Sequence, residues 1–448
     1  MTLSWKTRAL MVPLDEQLAR LLAWAVLALL LFWLALPLAA MLGKAFLGDR
    51  GEFVGLARIA DTLAQPGLAT IVGNSLSVAL ATVLLVLPLA YAYAAALTRV
   101  ALPGRGLFRL LALLPLLAPS LLPGISLVYL FGHQGLLKSW LADGSIYGWI
   151  GIVLGEAFYT FPHALMILLT ALAVGDARLY EAARSLGAGR LRQFVTITLP
   201  ASRYGLISAA LVVFTLTITD FGVAKVIGGQ YPVLAVEAYK QVIGQQNFPR
   251  GAVIGLLLLP ALLSFALDRL LQRSQRSALS ARAQPLQPAR SPLVRTLALG
   301  YCSLVGGALL LMLGTAMLAA LIQLWPYQLQ LTLAHFNFDQ VDGGGWLAFA
   351  NSLKLALGTA ALGTVVVFLG AWCSTRLRVA RGVAPALHAM AMLPMAVPGL
   401  VLGLGYILFY NAPANPLHSL YGSLALLVFC SVAHFYTTAH LTAVTALR

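Results

Sequence analysis

The chain has 448 residues, 60% hydrophobic and only 10% charged, with a formal net charge of +15 and a mean hydropathy of +0.88. A soluble globular chain carries about 25% charged residues, so this composition excludes a soluble enzyme, a disordered chain and a fibrous repeat, and leaves a polytopic membrane protein. The three cysteines, Cys302, Cys373 and Cys430, lie in apolar runs and read as small apolar residues, which excludes a disulfide scaffold.

About 20 apolar residues cross the hydrocarbon core as a helix. Segments of that kind run over 21–43, 70–97, 108–131, 147–173, 204–224, 251–271, 297–324, 348–374, 384–410 and 420–447. The expected fold is therefore an all-α, polytopic membrane bundle of about ten transmembrane helices. The first segment follows Lys6, Arg8 and Arg20 and is too long for the apolar core of a signal peptide, so it reads as an uncleaved helix. With the N-terminus in the cytoplasm and alternating spans, 21 of the 29 Lys and Arg fall on the cytoplasmic side and 7 on the other, with Lys354 inside a span. That bias predicts an N-in orientation. The basic residues sit in short clusters between apolar runs, which suits membrane orientation and not nucleic acid.

The chain repeats itself. Asn74-Ser75-Leu76 matches Asn351-Ser352-Leu353, and Arg99 matches Arg376, both at an offset of 277. Leu114-Pro115, Pro119 and Gly124 match Leu393-Pro394, Pro398 and Gly403 at an offset of 279. Tyr147-Gly148 matches Tyr421-Gly422 at an offset of 274, Phe158-Tyr159-Thr160 matches Phe435-Tyr436-Thr437 at 277, and Thr170-Ala171-Leu172 matches Thr445-Ala446-Leu447 at 275. Matched spans keep one orientation, so the repeat is parallel, about an axis along the membrane normal. The expected organisation is a first copy of six helices over 1–271, a linker over 272–296 and a second copy over 297–448. The linker is rich in Arg, Ser, Gln and Pro without an acidic residue, and reads as a flexible cytoplasmic tether.

Between Leu172 and the fifth span lies a polar loop, 174–203. It carries Glu181-Ala182-Ala183, then Gly187, then Ile197-Thr198-Leu199-Pro200. The spacing predicts a short helix over 176–187, a turn at Gly187, and a second short helix over 190–198 ended by Pro200, which starts the next span. This pattern resembles the EAA motif of ABC importer permeases: E-A-A, three residues, G, nine residues, I-x-L-P. The resemblance extends over essentially the whole chain. It implies an inner-membrane permease subunit in a bacterium, a loop that docks in a cleft of cytosolic ATPase subunits, and a periplasmic solute-binding protein on the other side. In that reading Glu181 makes polar contacts with the ATPase, while Ala182, Ala183 and Gly187 supply the fit, with Ile197, Leu199 and Pro200 completing the motif. Two copies in one polypeptide resemble the fused permeases that serve ferric iron and phosphonates. Asp220-Phe221-Gly222, Gly228-Gly229 and Val233-Leu234 are similar to both, and the stretch 231–240 leans toward 2-aminoethylphosphonate as solute, with ferric iron as the alternative. A second coupling loop would place its Glu near position 456, so the chain reads as truncated in its second copy.

No G-x-x-x-x-G-K-[ST] stretch is present, so the expectation is a subunit that is not itself an enzyme and holds no cofactor, with ATP bound by the partner. Glu156 and His163, seven apart on one helical face, and Asp220, with Lys225 close by, are candidates for the translocation path, as are Pro119 and Pro398 in matched kinks. Helix–helix hydrogen bonding is the competing role for the ionisable groups and for Lys354, plain kinking for the prolines, and helix capping the simple role of Asn74 and Asn351. His434 and His440 are six apart, on different faces, and no metal site is expected. An ion-gradient-driven secondary transporter, which also uses repeats, is the rival of another class.

Overall fold

The computed structural model describes residues 14–48, 51–141, 144–173, 175–258, 286–338, 344–376, 383–397 and 399–447. In chain order the helices are α1 (Leu14–Leu30), α2 (Leu36–Lys44), α3 (Ala57–Leu63), α4 (Leu68–Arg99), α5 (Arg105–Leu113), α6 (Leu121–Phe131), α7 (Trp149–Ala173), α8 (Ala177–Ser185) and α9 (Arg190–Gln193). They continue with α10 (Leu199–Thr219), α11 (Gly222–Ile227), α12 (Leu234–Tyr239), α13 (Phe248–Leu258), α14 (Pro292–Leu321), α15 (Gly345–Arg376), α16 (Val383–Ala396), α17 (Gly399–Tyr410) and α18 (Leu424–Leu447). Strands are confined, among the described residues, to one small hairpin, β1 (Ile322–Leu324) with β2 (Gln328–Leu331). The all-α membrane bundle expected from composition is the fold observed.

Seven of these helical stretches are long and apolar enough to span a bilayer. Two more segments, at 105–131 and 385–410, are not straight spans: each is a pair of helices bent by 102° and 105°. The prolines expected to kink these segments do more than that. At Ala118 the backbone is extended, between a short turn holding Pro115 and the start of α6, because a proline neither donates to the helix ladder nor lets its predecessor stay helical. Of the expected span 251–271, residues 251–258 are described, as part of α13. Residues 259–271, linker residues 272–285 and Pro398 lie outside the described residues.

The helices form two compact units. The first joins residues 1–62 and 239–259 to 337–448. In it α1 packs on α15 and α16, and α2 on α13 and α17. Trp33 stacks on Phe429 at 4.5 Å, the Tyr406 hydroxyl donates to the Trp33 carbonyl at 2.5 Å, and Thr437 donates to the Ala391 carbonyl at 2.7 Å. The second unit joins residues 63–238 to 260–336. Here α4, α7 and α10 pack around Val86, Ala90, Tyr93, Phe161, Leu165 and Val213. α14 is fastened to them by polar pins inside apolar surroundings: Tyr301 donates to the Leu89 carbonyl (2.7 Å) and Ser126 to the Met312 carbonyl (2.7 Å). Buried hydroxyls require such partners. The leading helix of each sequence copy thus packs among helices of the other copy. The described end of the linker is not loose. Residue 289 runs beside 99–101, with Ala289 N–H on the Arg99 carbonyl (2.7 Å) and Ala101 N–H on the Ala289 carbonyl (3.0 Å).

Candidate functional site

The loop between α7 and α10 is built from its caps outward. Asp176 caps α8, its Oδ1 accepting from the Arg178 N–H at 3.1 Å. The helix ends at Gly187, whose φ of +74° places it in the left-handed region. Gly187 N–H bonds the Arg184 carbonyl (2.9 Å) and Ala188 N–H the Ala183 carbonyl (2.9 Å), the paired bonds of a Schellman motif. A Cβ at Gly187 would meet nothing within 4 Å, so the glycine serves backbone conformation and not space. The turn expected at Gly187 is therefore in place.

The second half of the loop departs from the expected two-piece arrangement. Residues 190–219 form one continuous 30-residue helix, in which α9 passes into α10 through a π-turn at Phe194–Thr198. Pro200 does not break it. The proline sits in the first turn of α10, where its missing N–H needs no acceptor, and the π-turn just ahead carries Leu199 N–H onto the Phe194 carbonyl, five residues back. The loop's second arm is therefore rigidly continuous with a membrane span of about 45 Å total length, at 1.5 Å per residue.

One buried residue fastens the loop to the bundle. Tyr180 is 7% exposed, and its hydroxyl lies 2.8 Å from Thr198 Oγ1 and accepts from Arg99 Nη1 at 2.7 Å, with the guanidinium over its ring at 5.3 Å. Of the motif residues, Glu181, Ala182 and Gly187 are exposed, Ala183 and Ile197 are partly covered, and Leu199 and Pro200 are exposed. Leu179, Leu186, Leu191 and Val195 add an uncovered apolar surface, with Leu186 at 85% exposure. Sequence reasoning missed Tyr180 and Arg99 as the anchor. The available signals were Tyr180 as the one aromatic residue of 176–187, and the recurrence of Arg99 at Arg376.

At the far end of α10 the chain turns at Asp220. Its Oδ2 accepts from Val223 N–H at 2.8 Å, capping α11, and its carboxyl group also bonds Ser120. It meets Glu156 of α7 as well, a side chain 1% exposed. Glu156 Oε2 has no hydrogen-bond partner among the described residues. His163 is not part of this cluster's bonding; its Nδ1 lies 3.2 Å from the Tyr159 carbonyl. Pro119 is exposed in the 102° bend, its carbonyl accepting from Leu122 N–H. The pairing of Glu156 with Asp220, 64 residues apart, left no mark in sequence spacing. Among the described residues no group of three His, Cys, Asp or Glu is placed to hold a metal ion.

The family model for binding-protein-dependent transport system inner membrane components matches residues 92–280, which contain the loop, Glu156 and Asp220. The sulfate transport system permease protein of Escherichia coli K12 is 30% identical over 189 residues, covering 40% of this chain and 68% of that protein. The molybdenum transport system permease protein of the same organism is 36% identical over 152 residues, covering 33% of this chain and 66% of that protein. The ferric transport system permease protein of Actinobacillus pleuropneumoniae is 25% identical over 404 residues, covering 86% of this chain. The chain spans 58% of the length of that ferric permease, and 63% of a second one from Haemophilus influenzae.

Proposed function

The chain belongs to the family of binding-protein-dependent transport system inner membrane components, the permeases of ABC importers, and from that premise we propose how it works and what it carries. The loop at 176–203 is the coupling element for a cytosolic ATPase. The observation that carries this is mechanical: an exposed Glu-Ala-Ala helix, locked by a glycine cap, turns directly into an unbroken helix that runs through the membrane to Asp220. A partner that closes on Glu181, Ala182 and the apolar surface at Leu186 and Leu191 displaces 190–198, and 199–219 must follow as one body. That helix ends in the Asp220–Glu156–Ser120 cluster, so the same displacement reaches α6, α7 and α11, where access for solute would change. The residues do no covalent chemistry. In this reading the N-terminus and loop are cytoplasmic, ATP is bound by the partner, and a periplasmic binding protein delivers the solute.

For the solute we favour ferric iron. The support is extent: likeness to the ferric permeases runs over 86–87% of this chain, whereas the sulfate and molybdenum permeases match 40% and 33% of it. The second reading, 2-aminoethylphosphonate, rests on residues 220–240. Uptake of radiolabelled ferric iron by vesicles carrying the complete system decides between them. Uptake of labelled 2-aminoethylphosphonate, with no iron taken up, overturns the iron reading. ATP-independent uptake abolished by an uncoupler would instead mean a secondary transporter.

A further inference from the structure

The coupling loop leaves the end of α7 through Gly175, and the linker between the two sequence copies sits on that residue. A Cβ at Gly175 would lie 2.6 Å from Leu286 Cδ1 and 3.4 Å from Arg99 Nη2. Leu286 therefore meets the chain one residue ahead of Asp176, the cap of α8. The linker is held there in one register. Ala289 donates its N–H to the Arg99 carbonyl and accepts from the Ala101 N–H, which makes a parallel bridge beside 99–101. The other side of that bridge is fixed, because Val100 and Leu102 are buried in the core around α4 and α7. Arg99 joins the two systems: its carbonyl holds the linker, and its Nη1 holds the Tyr180 hydroxyl of the loop. A glycine at the root of a lever is a hinge, since it turns through backbone angles closed to other residues. A load on α8 would swing the helix about Gly175 unless that swing is blocked. Leu286 on one side and the Arg99 guanidinium on the other occupy the space it needs.

We propose that Leu286 and Ala289 are positioning residues for the coupling loop: residues 286–289 of the linker are a clamp that closes the hinge at Gly175, so that a load on α8 is delivered to α10. The proposal rests on the coupling reading of the loop and on no choice of solute. The clamp is made mostly by backbone, with Ala289 giving both its N–H and its carbonyl to 99–101. A stretch rich in Gln and Pro can therefore supply it, and Pro288, which has no N–H to satisfy, costs it nothing. Leu286 is the one side chain whose shape matters, because it fills the notch that Gly175 leaves.

Ala289→Pro deletes the donor to Arg99 and keeps the carbonyl, Leu286→Ala empties the notch, and Leu286→Met keeps an apolar side chain in it. Gln287→Pro is the control, since the Gln287 N–H has no acceptor among the described residues. Hydrogen exchange of the full chain in nanodiscs reads the clamp at Ala101 and the loop root at Arg178 and Leu179, whose N–H groups bond Asp176. One hydrogen bond is equivalent to about a fivefold change in an opening equilibrium. Ala289→Pro should therefore speed exchange at all three amides about fivefold, and Leu286→Ala at 178 and 179, while Leu286→Met and Gln287→Pro exchange as the parent does. In the complete transport system, the Leu286→Ala, Ala289→Pro double variant should take up at least fivefold less labelled solute per ATP hydrolysed, with hydrolysis itself within twofold of the parent. The solute is ferric iron or 2-aminoethylphosphonate, whichever the parent takes up. A merely destabilised chain would lose both activities together. Unchanged exchange at 178 and 179, unchanged uptake per ATP, parallel loss of uptake and hydrolysis, or an equal effect of Gln287→Pro overturns the clamp. Full uptake by the Glu181→Ala, Gly187→Pro variant overturns the coupling reading instead.

Discussion

Tyr180→Phe isolates the anchor of the loop. The substitution keeps the ring under the Arg99 guanidinium and removes only the hydroxyl that joins Arg99 at 2.7 Å to Thr198 at 2.8 Å. A hydrogen bond to a charged group contributes about 1.5–3 kcal/mol and a neutral one about 0.5–1.5 kcal/mol. The two share one oxygen and do not add fully, so a loss of about 2 kcal/mol is expected for holding the loop against the bundle. That is a factor of about 30 in a local opening equilibrium. Hydrogen exchange of the 179–188 amides should accelerate by about that factor, while the amides of α4 and α7 keep their rates, because local opening is independent of global unfolding. Unchanged exchange in the loop would refute the anchoring role, and uniform acceleration through α4 and α7 would show Tyr180 to be an ordinary core residue.

Gly187→Ala should cost about 1 kcal/mol in the left-handed cap, and Gly187→Asn less, so ATP-driven uptake should fall in the order Gly, Asn, Ala. Asp220→Ala removes the cap of α11 and should lower the thermal midpoint by the equivalent of about 1–2 kcal/mol, with the change mapped by exchange at 222–227. Glu156→Gln keeps the side-chain volume and offers Asp220 a donor, and should leave the midpoint within a degree or two, whereas Glu156→Ala should lower it clearly. Gly155→Val should be among the most damaging substitutions, since a Cβ alone already lies 2.5 Å from Val223 Cγ1, and overpacking costs about 1–3 kcal/mol.

Much of the molecule could be read in advance because its signals are local. Apolar runs of about 20 residues announce spans, and Gly187 announces a left-handed cap, since few other residues adopt that conformation. The features that escaped sequence reasoning are nonlocal. The pairing of Glu156 with Asp220 depends on the meeting of α7 and the end of α10, and the Arg99–Tyr180–Thr198 contact on three separate segments. Pro200 shows local reasoning overruled: a proline that ordinarily ends a helix is carried through one by the π-turn at 194–198. The repeat was legible as offsets, but not the exchange of leading helices, because an offset records likeness and not packing.

The most direct test of the account is uptake by ATP-loaded vesicles that contain the complete transport system, with the Glu181→Ala, Gly187→Pro double variant beside the parent chain. The account predicts uptake that requires ATP, survives an uncoupler and is lost in the double variant, although both chains insert in equal amount. Uptake by the double variant at the parental rate, or uptake without ATP that collapses with the uncoupler, would contradict it.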